Sequence, residues 1–546
     1  MPAPPLDTPL FFFGLTTGVA LTAASVFLIN NFTASRAQRA LAAAVADAVL
    51  AQQQLEHQGG ELASPSSKLS PYLAAVVPTA GAGAPTPNGD LPALRRQSWS
   101  VPSFVAADGT LPKLEMEFTV SSKKLQKMVR HMVNEMRKGL EADGHMLKMI
   151  PSYVVTRPQG DEVGQYLALD LGGSNFRVCM IELRGQGQTA IRQAKHVVSD
   201  ELKTGSGEQL FDFFATCIGD FLKSLGMDTR EKRSLGFTFS FPVSQNAINH
   251  GELMQWNKGF SASGVLHKDV VVLLNKALTK ANINIHVTAL VNDTVGTLVS
   301  HAYRDPQTYV GVILGTGTNA AYVERMSAIP KWTGDKNIAE MVINTEWGAY
   351  DEESILPITS YDNALDRASS NPRLQIFEKM ISGMYLGEIV RYVLIDLIST
   401  GELFRGNSTP KIQTPYAFDT AYMSRIERDH SLELSDTKAV LENLLDVHNT
   451  TVQDRRIVKH VCELIGIRAA RLSAAGVAAI VTKMKRLDAC TVAIDGSVFE
   501  HYPHFANRMR DALRELLGIM AENIVLEQAR DGSGQGAALI AALHTK

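Results

Sequence analysis

Cysteine is scarce in this chain of 546 residues, which contains Cys179, Cys217, Cys462 and Cys490 and no others. These residues lie far apart and lack the close spacing of a zinc site or a disulfide framework. The sequence therefore indicates a reducing compartment. Because the His and Cys residues form no compact set of ligands either, we expect no metal ion held in a dedicated protein cage.

The sequence also lacks an excess of charge of one sign. It has 53 Lys and Arg residues against 56 Asp and Glu residues, a net charge of -3. This balance gives no electrostatic case for nucleic-acid binding. Neither LDLGGSN nor NDT occurs a second time, so tandem duplication of the whole unit is excluded. A chain this long exceeds one compact core of usual size, and we expect two lobes.

Charge is missing altogether from residues 10–32, LFFFGLTTGVALTAASVFLINNF, and Asp7 is the one charged side chain before them. A run of this length can cross a membrane as one helix. A secretory signal should begin with basic residues, whereas here Arg36 and Arg39 follow the run, which leaves the rest of the chain in the cytosol. We predict a membrane anchor in residues 1–34, with the mitochondrial outer membrane as one candidate. A signal sequence or a buried helix is the alternative.

Residues 35–112 are predicted to connect this anchor to the folded part of the chain. The first part, up to residue 58, is rich in Ala and could form a helical stalk. From residue 59 onwards Ala, Pro, Gly and Ser dominate, and such a segment cannot bury enough apolar surface to fold. Helical periodicity returns in residues 118–144 behind a Ser cap, where the folded unit should open.

One carboxylate, Asp293, stands between a predicted strand and a predicted helix. The apolar, β-branched IHVTALV before it is typical of a buried parallel strand, and VGTLVSHAY after it has helical periodicity. Open α/β sheets bind ligands at the carboxyl ends of their strands, and a helix N-terminus favours an ionised carboxylate. Asp293 could therefore accept a proton. The alternative is that it only caps the helix.

Two glycine-rich segments share one design, a strand that enters a glycine turn and continues as a second strand. They are LALDLGGSNFRV, residues 167–178, and VGVILGTGTNAAYVE, residues 310–324. Each predicts a tight hairpin. Glycine lets backbone amides approach a phosphate closely, and Ser and Thr hydroxyls add neutral donors. Neither segment fits the strand-to-helix nucleotide motifs, so it is their pairing that suggests a triphosphate site.

With these residues in view, the sequence from about residue 118 onwards resembles the eukaryotic hexokinases. Several stretches, such as ALVNDTVGTL, look similar to plant-type members. The blocks that carry the resemblance follow the order of the family: LDLGGSNFRV, LGFTFSFPVSQ (residues 235–245), LGTGTNAAY, VINTEWGAY (342–350), FEKMISGMYLGE (377–388), AIDGSVFEHYP (493–503) and DGSGQGAALIAAL (531–543).

The resemblance implies ATP-dependent phosphorylation of the 6-hydroxyl of glucose, with fructose and mannose as further substrates, the first step of glycolysis. Asp293 becomes the catalytic base. Carboxylates accept hydrogen bonds, Lys donates and amides do both, so such groups can satisfy a set of sugar hydroxyls. Asn257 replaces the usual Thr before the sugar-contacting Lys, which puts sugar affinity in doubt. The implied hexose contacts are Ser240, Phe241, Asn257, Lys258, Asn292, Asp293, Asn319, Glu346 and Glu378.

The resemblance also implies that Mg²⁺ enters with ATP and keeps most of its waters, with Asp170 approaching the ion through water. Ser174 stands where Thr is usual in the first glycine segment, but its hydroxyl is retained. The implied nucleotide contacts are Asp170, Gly172, Gly173, Ser174, Asn175, Arg177, Gly315, Thr316, Gly317, Thr318, Gly496, Ser497, Gly532 and Ser533.

The implied fold is α/β, the two-lobed actin-like ATPase (ribonuclease H-like) type, with parallel-rich sheets flanked by helices. The small lobe would comprise residues 158–292 and a C-terminal helix of residues 535–546. The large lobe would comprise residues 113–157, which are helical, and residues 293–534. We expect a monomer that does not bind nucleic acid. The alternative function is a membrane-tethered hexose sensor or scaffold with little turnover, which the intact Asp293 and glycine segments disfavour.

Overall fold

The structure is a computed structural model that describes residues 110–172, 175–256 and 259–544. The predicted anchor and stalk lie outside the described residues, and so does nearly all of the predicted linker. Of the predicted site residues, Gly173, Ser174, Asn257 and Lys258 lie outside them too, as does the side chain of Asn175.

The strands of the described residues form two large sheets and one small ribbon. The strands are β1 Ile150–Pro151, β2 Val163–Leu171, β3 Asn175–Arg184, β4 Thr189–Val197, β5 Arg233–Phe239, β6 Val243–Ala247, β7 His250–Leu253, β8 Ile285–Val291, β9 Thr308–Leu314, β10 Thr318–Arg325, β11 Glu340–Asn344, β12 Cys490–Asp495 and β13 Ile524–Gln528.

Both sheets are mixed rather than parallel-rich, so that part of the fold prediction is wrong. The first sheet has the order β1-β11-β10-β9-β12-β13 and the second the order β4-β3-β2-β5-β8, while β6 and β7 form the ribbon. Among the described strands, the parallel pairs of the first sheet are β9–β12 and β12–β13, and those of the second sheet are β2–β5 and β5–β8. The other pairs in both sheets are antiparallel. The tight turns between β2 and β3, between β3 and β4 and between β9 and β10 impose antiparallel pairing.

The described residues also form α-helices. They are α1 Thr110–Phe118, α2 Ser122–Glu141, α3 Asp200–Thr204, α4 Gly207–Ser224, α5 Val270–Lys280, α6 Asp293–Ala302, α7 Ser360–Ala368, α8 Ile376–Ile381, α9 Gly383–Ser399, α10 Pro410–Gln413, α11 Thr420–Glu427, α12 Ser435–Ala439, α13 Val452–Met484, α14 Ser497–His501, α15 Phe505–Leu517 and α16 Gly532–His544. Short 3₁₀ turns occupy Met326–Ala328, Trp347–Ala349, Phe404–Gly406 and Gly518–Asn523, and a π-helical turn occupies Val440–Leu444.

The first helix begins inside the predicted linker. Leu111, Leu114 and Phe118 are buried along one face of α1, so the chain is folded from Thr110, before the predicted boundary at residue 112. Their helical spacing supplies the apolar face that the linker composition obscured. The Ser cap predicted for the next helix is confirmed, because the Ser121 side chain accepts a hydrogen bond from the backbone N–H of Lys124.

The core of the first sheet includes α13, a helix of 33 residues. Within the part of the chain that the structure describes, α13 is the one helix long and apolar enough to cross a membrane. However, 83% of its most apolar window is buried inside the protein, as in a core helix. The predicted N-terminal span is a different segment and is not among the described residues.

Two helices lie against the faces of the two large sheets and carry a shared cluster of buried apolar residues. Helix α6 packs against β9 and α16, while α16 packs against β2, β5 and β8. Val295 and Leu298 of α6 and Leu539 of α16 belong to this cluster. Helix α16 begins at Gly532, three residues before the predicted start at 535. Its first turn lies beside the first turn of α6, because a Cβ at Gly296 would lie 2.7 Å from the carbonyl oxygen of Ser533.

Candidate active site

Asp293 lies where the sequence predicts it, at the junction of a parallel strand and a helix. Strand β8 pairs in parallel with β5 and ends at Val291, and Asp293 opens α6. The N-cap is Asn292, whose Oδ1 accepts hydrogen bonds from the Thr294 backbone N–H at 3.0 Å and from Thr294 Oγ1 at 2.6 Å. The Thr294 N–H is also 2.9 Å from Asp293 Oδ1. Capping of α6 is therefore mainly the role of Asn292.

A hydrogen-bonded group of polar side chains lies beside this junction. Asn319 Nδ2 donates to Asn344 Oδ1 at 2.8 Å and to Glu346 Oε1 at 3.1 Å, and it lies 3.4 Å from Asn292 Oδ1. Asn344 Nδ2 donates to the same Glu346 oxygen at 2.8 Å. The structure thus brings together Asn292, Asn319 and Glu346, which the sequence places far apart along the chain.

The backbone of Glu346 is strained. Its φ of 53° and ψ of 44° lie in the left-handed region, which residues other than glycine seldom adopt. Such a conformation costs on the order of 1–3 kcal/mol and persists only where its surroundings fix it. The carboxylate of Glu346 is therefore presented from a turn that the surrounding residues hold in place.

Glu378 is joined to the second glycine segment. Its Oε2 accepts a hydrogen bond from the Thr318 backbone N–H at 2.9 Å, and a Cβ at Gly317 would lie 2.7 Å from the same oxygen. Thr318 Oγ1 in turn accepts a hydrogen bond from Trp347 Nε1 at 3.0 Å. Trp347 follows Glu346 directly, so Thr318 links the turn that carries Glu346 to helix α8, which carries Glu378.

Ser240 and Phe241 are positioned by the second sheet. The Ser240 N–H is 3.5 Å from the carbonyl oxygen of Leu171, so Ser240 borders the first glycine hairpin. Phe241 is buried with its ring centroid 4.9 Å from that of Trp256 and 5.1 Å from that of Phe260. The predicted hexose residues that the structure describes therefore come from both sheets.

The first glycine segment forms the predicted hairpin, because β2 and β3 pair antiparallel with Leu171 opposite Phe176. Asp170 Oδ2 accepts hydrogen bonds from Arg177 Nε at 3.0 Å and from Ser533 Oγ at 2.9 Å. Arg177 Nη1 donates to Asp531 Oδ1 at 2.7 Å. Burial lowers the pKa of the Arg177 guanidinium, but the neighbouring Asp170 carboxylate raises it by more, so the net effect is a raised pKa.

The second glycine segment also forms its predicted hairpin, with Leu314 opposite Thr318. Other backbone segments pack directly on it. A Cβ at Gly496 would lie 2.4 Å from the carbonyl oxygen of Leu314, and the N–H of Gly383 donates to the carbonyl oxygen of Gly315 at 2.8 Å. Glycine at these positions lets the main chain approach closely, which is the property that a phosphate-binding backbone requires.

A half-buried carboxylate connects the two glycine regions. Asp495 Oδ2 lies 3.3 Å from the backbone N of Gly532, which donates to it, and Asp495 precedes Gly496 directly. Burial raises the pKa of Asp495 to about 6. The predicted nucleotide residues whose side chains or backbone are described thus belong to one connected region, from Gly315 through Gly496 and Gly532 to Asp170.

Sequence reasoning missed several residues that the structure adds to the site. They are Asn344, Gln375, Asp495 and Asp531. A Cβ at Gly348 would lie 2.4 Å from Gln375 Oε1 and 3.3 Å from Glu378 Cβ, so Gln375 borders Glu378. Each missed residue lies within three positions of a predicted one, and this proximity in sequence was the available signal.

The sequence matches known hexokinases over most of its described part. Family models described as hexokinase match residues 110–303 and 309–543. Hexokinase-2 of Oryza sativa subsp. japonica is 43% identical, over 83% of this chain and 94% of its own length. Hexokinase-1 of Spinacia oleracea is 46% identical, over 78% of this chain and 88% of its own length.

The fold agrees with these matches. The structure of the hexokinase from Schistosoma mansoni complexed with glucose superposes with a TM-score of 0.75 at 40% identity, covering 80% of this chain and 98% of that one. The hexokinase of Kluyveromyces lactis is 44% identical, over 79% of this chain and 91% of its own length, so the identities do not single out a plant lineage. The chain therefore belongs to the eukaryotic hexokinase family, the two-lobed sugar kinases that transfer a phosphoryl group from ATP to a hexose.

Proposed function

We propose that this hexokinase transfers the γ-phosphoryl group of ATP to the 6-hydroxyl of glucose, and of fructose and mannose, with Asp293 as the general base. The observation that carries the proposal is the position of Asp293. It opens α6 beside the group formed by Asn292, Asn319 and Glu346, and α6 packs on the helix that begins at Gly532 and Ser533. One carboxylate thus adjoins both the hexose and the nucleotide residues.

The base acts late in the reaction. As the hydroxyl oxygen attacks phosphorus its proton becomes acidic, and the Asp293 carboxylate accepts it in the transition state. Positioning supplies most of the remaining acceleration. The amide and carboxyl groups of Asn319, Glu346 and Glu378 would hold other hydroxyls from the side of the first sheet. The second sheet, where Asn292 follows β8, would complete the contacts through Asn292, Ser240, Phe241, Asn257 and Lys258.

The glycine hairpins and the start of α16 would hold ATP. The backbone at Gly315 and Gly496, packed without side chains, fits a polyphosphate, and Asp170 offers a carboxylate that fits a hydrated Mg²⁺ ion. When bound with ATP, this ion neutralises negative charge on the phosphate oxygens. Arg177 adds a fixed positive charge to the same region. It also orients Asp170 through its hydrogen bonds.

For the whole chain, we propose a small lobe of residues 158–292 with the C-terminal helix, which closes on a large lobe when sugar binds. Closure would exclude water, the competing nucleophile. Residues 1–34 would tether a monomeric enzyme to the cytosolic face of a membrane, with the mitochondrial outer membrane as a candidate. The uncharged residues 10–32, followed by Arg36 and Arg39, support the tether.

A coupled assay of ADP release from the purified protein tests the function. Glucose, fructose and mannose should each stimulate ADP release, and the product should carry its phosphate on the 6-oxygen by NMR. The matched control is 6-deoxyglucose, which lacks the acceptor oxygen and should give no stimulation. ADP release that is equal with glucose and with 6-deoxyglucose would contradict the proposal.

A further inference from the structure

We propose that Asn344 is a positioning residue for hexose binding, an inference that rests on the function proposed above. Asn344 ends β11 and is only 6% exposed. It lies between Asn319 and Glu346, two of the proposed hexose contacts, and hydrogen-bonds to both. Asn344 acts through these two neighbours by fixing where their polar atoms point.

The first contact of Asn344 holds the backbone of Glu346. Its Oδ1 accepts a hydrogen bond from the Glu346 N–H at 3.2 Å, the two-residue pattern of an Asx turn. The next residue, Thr345, also bonds the backbone two residues on, because its Oγ1 accepts a hydrogen bond from the Trp347 N–H at 3.2 Å. The same hydroxyl donates to the carbonyl oxygen of Ala320 at 2.8 Å. These two side chains stabilise the left-handed conformation of Glu346.

The second contact orients the Glu346 carboxylate. Asn344 Nδ2 donates to Glu346 Oε1 at 2.8 Å, while Asn344 Oδ1 accepts a hydrogen bond from Asn319 Nδ2 at 2.8 Å. The site therefore needs a short side chain that donates to a carboxylate and accepts from an amide at the same time. Asparagine meets this need, whereas aspartate offers acceptors only and brings a second negative charge.

This geometry predicts an effect on hexose affinity rather than on the nucleotide or the fold. Asn344 is joined to Glu346 and Asn319. The nucleotide residues Asp170, Arg177 and Ser533 are held by a separate set of hydrogen bonds. A change at Asn344 should therefore misplace the sugar while leaving ATP binding intact.

The experiment compares Asn344→Asp and Asn344→Ala with the wild-type full-length protein. Asn344→Asp keeps the Oδ1 acceptor of the turn, removes the donor and adds a negative charge beside Glu346. Both variants should raise the glucose KM, and the glucose Kd from calorimetry, by about 10- to 100-fold, the scale of a lost hydrogen bond to a charged group. The KM for ATP should change by less than about twofold, since Asn344 hydrogen-bonds to Glu346 and Asn319 and not to Asp170, Arg177 or Ser533. Asn363→Asp, on the exposed side of α7, is the matched control and should resemble the wild type.

A pH series separates positioning from simple structural damage. In Asn344→Asp the new carboxyl lies beside Glu346, and two such groups share a proton as the pH falls. The protonated carboxyl can donate to Glu346 as the amide did. The ratio of glucose KM between Asn344→Asp and wild type should therefore decrease between about pH 8 and about pH 6, and Asn344→Ala should show no such recovery.

Three outcomes would overturn the inference: an unchanged glucose KM in both variants, no recovery of Asn344→Asp at low pH, or equal losses for glucose and ATP with a lowered Tm. Glu346→Gln identifies what has failed. If it raises the glucose KM while the Asn344 variants do not, only the positioning role is wrong. If Glu346→Gln is also without effect, the proposed hexose site is wrong.

Discussion

Gly536 of α16 lies directly against the backbone of Gly296 in α6. A Cβ at position 536 would lie 1.9 Å from the carbonyl oxygen of Gly296, and a Cβ at position 296 would lie 2.7 Å from that of Ser533. Real Cβ atoms do not approach so closely, so the crossing of the two helices depends on glycine. Because α6 begins at Asp293 and α16 carries Ser533, this crossing sets the distance between the proposed base and the proposed nucleotide residues.

Gly536→Ala should therefore destabilise the protein by about 1–3 kcal/mol, the usual cost of overpacking, and also reduce kcat by separating the helices. Chemical denaturation and steady-state kinetics measure the two effects. Gly534→Ala is the matched control in the same helix. Its Cβ would meet Cys179 Sγ at 3.7 Å, an ordinary contact. That variant should be neutral or more stable by up to about 1 kcal/mol, because alanine favours helix. Equal stability in the two variants would contradict the role of the crossing.

Asp495 should make stability depend on pH. Burial raises its pKa from the ordinary 3.8 to about 6, so the folded state holds the proton more tightly than the unfolded state. The free energy of unfolding therefore falls as the pH rises from about 4 to about 6. Above about pH 6 the whole loss of stability that comes from ionising Asp495 in the folded state is present. Asp495→Asn retains a carbonyl oxygen for the Gly532 N–H but cannot ionise.

Thermal unfolding across the pH range provides the measurement. Asp495→Asn should have a higher Tm than wild type at about pH 7.5, and the difference should narrow towards about pH 4. Asp511→Asn removes an exposed helix carboxylate, whose side chain is 68% accessible, and serves as the control. A difference between Asp495→Asn and wild type that is the same at every pH would exclude ionisation of Asp495 as its cause.

The elements that sequence predicted well are those with local causes. The junction at Asp293 follows from an apolar strand and a periodic helix that meet within a few residues. The two hairpins follow from glycine turns between apolar runs, and the start of α2 follows from the Ser121 cap. In each case the residues that determine the structure are neighbours in sequence, so the element can be predicted from this sequence alone.

Long-range causes account for what the sequence could not show. The mixed pairing of the sheets depends on which strands meet, and β9 pairs with β12 across most of the large lobe's sequence. The left-handed conformation of Glu346 is held by Asn344 and Thr345, although nothing in a Glu residue favours it. The hydrogen bond from Asn319 to Asn344 likewise joins residues on separate strands. The resemblance to a family identified the sequence blocks that carry the predicted site residues, but not the hydrogen bonds that hold those residues in place.

Removal of residues 1–34 should release the enzyme from membranes without impairing catalysis. The described fold begins at Thr110, well after the predicted span, and the site residues lie later still. Fractionation of cells that express either form provides the measurement, with ADP-release assays on both. The full-length protein should pellet with membranes and resist carbonate extraction. If it stays in the soluble fraction, the anchor prediction is wrong.

Asp293→Ala should lower kcat by at least about 10²-fold, the scale of a lost general base, while hexose binding weakens far less. In the proposed ground-state complex the 6-hydroxyl would make one hydrogen bond to Asp293, and the other hydroxyls would keep their contacts with Asn292, Asn319, Glu346 and Glu378. A hydrogen bond of this kind contributes about 1.5–3 kcal/mol. The bond strengthens only as the proton becomes acidic, so its loss falls mainly on the transition state.

Asp293→Asn is the sharper probe of the base, because it preserves the shape of the side chain and cannot take the proton. Its kcat should fall as far as that of Asp293→Ala, and calorimetry should still detect glucose binding. Asp220→Asn, an exposed carboxylate on α4 with 63% of its side chain accessible, provides the matched control and should retain full activity. Near-normal kcat in Asp293→Asn would exclude the base assignment. Abolished glucose binding in both Asp293 variants would instead make Asp293 mainly a sugar-holding residue, since a residue that acts only on the transition state leaves the ground-state complex intact.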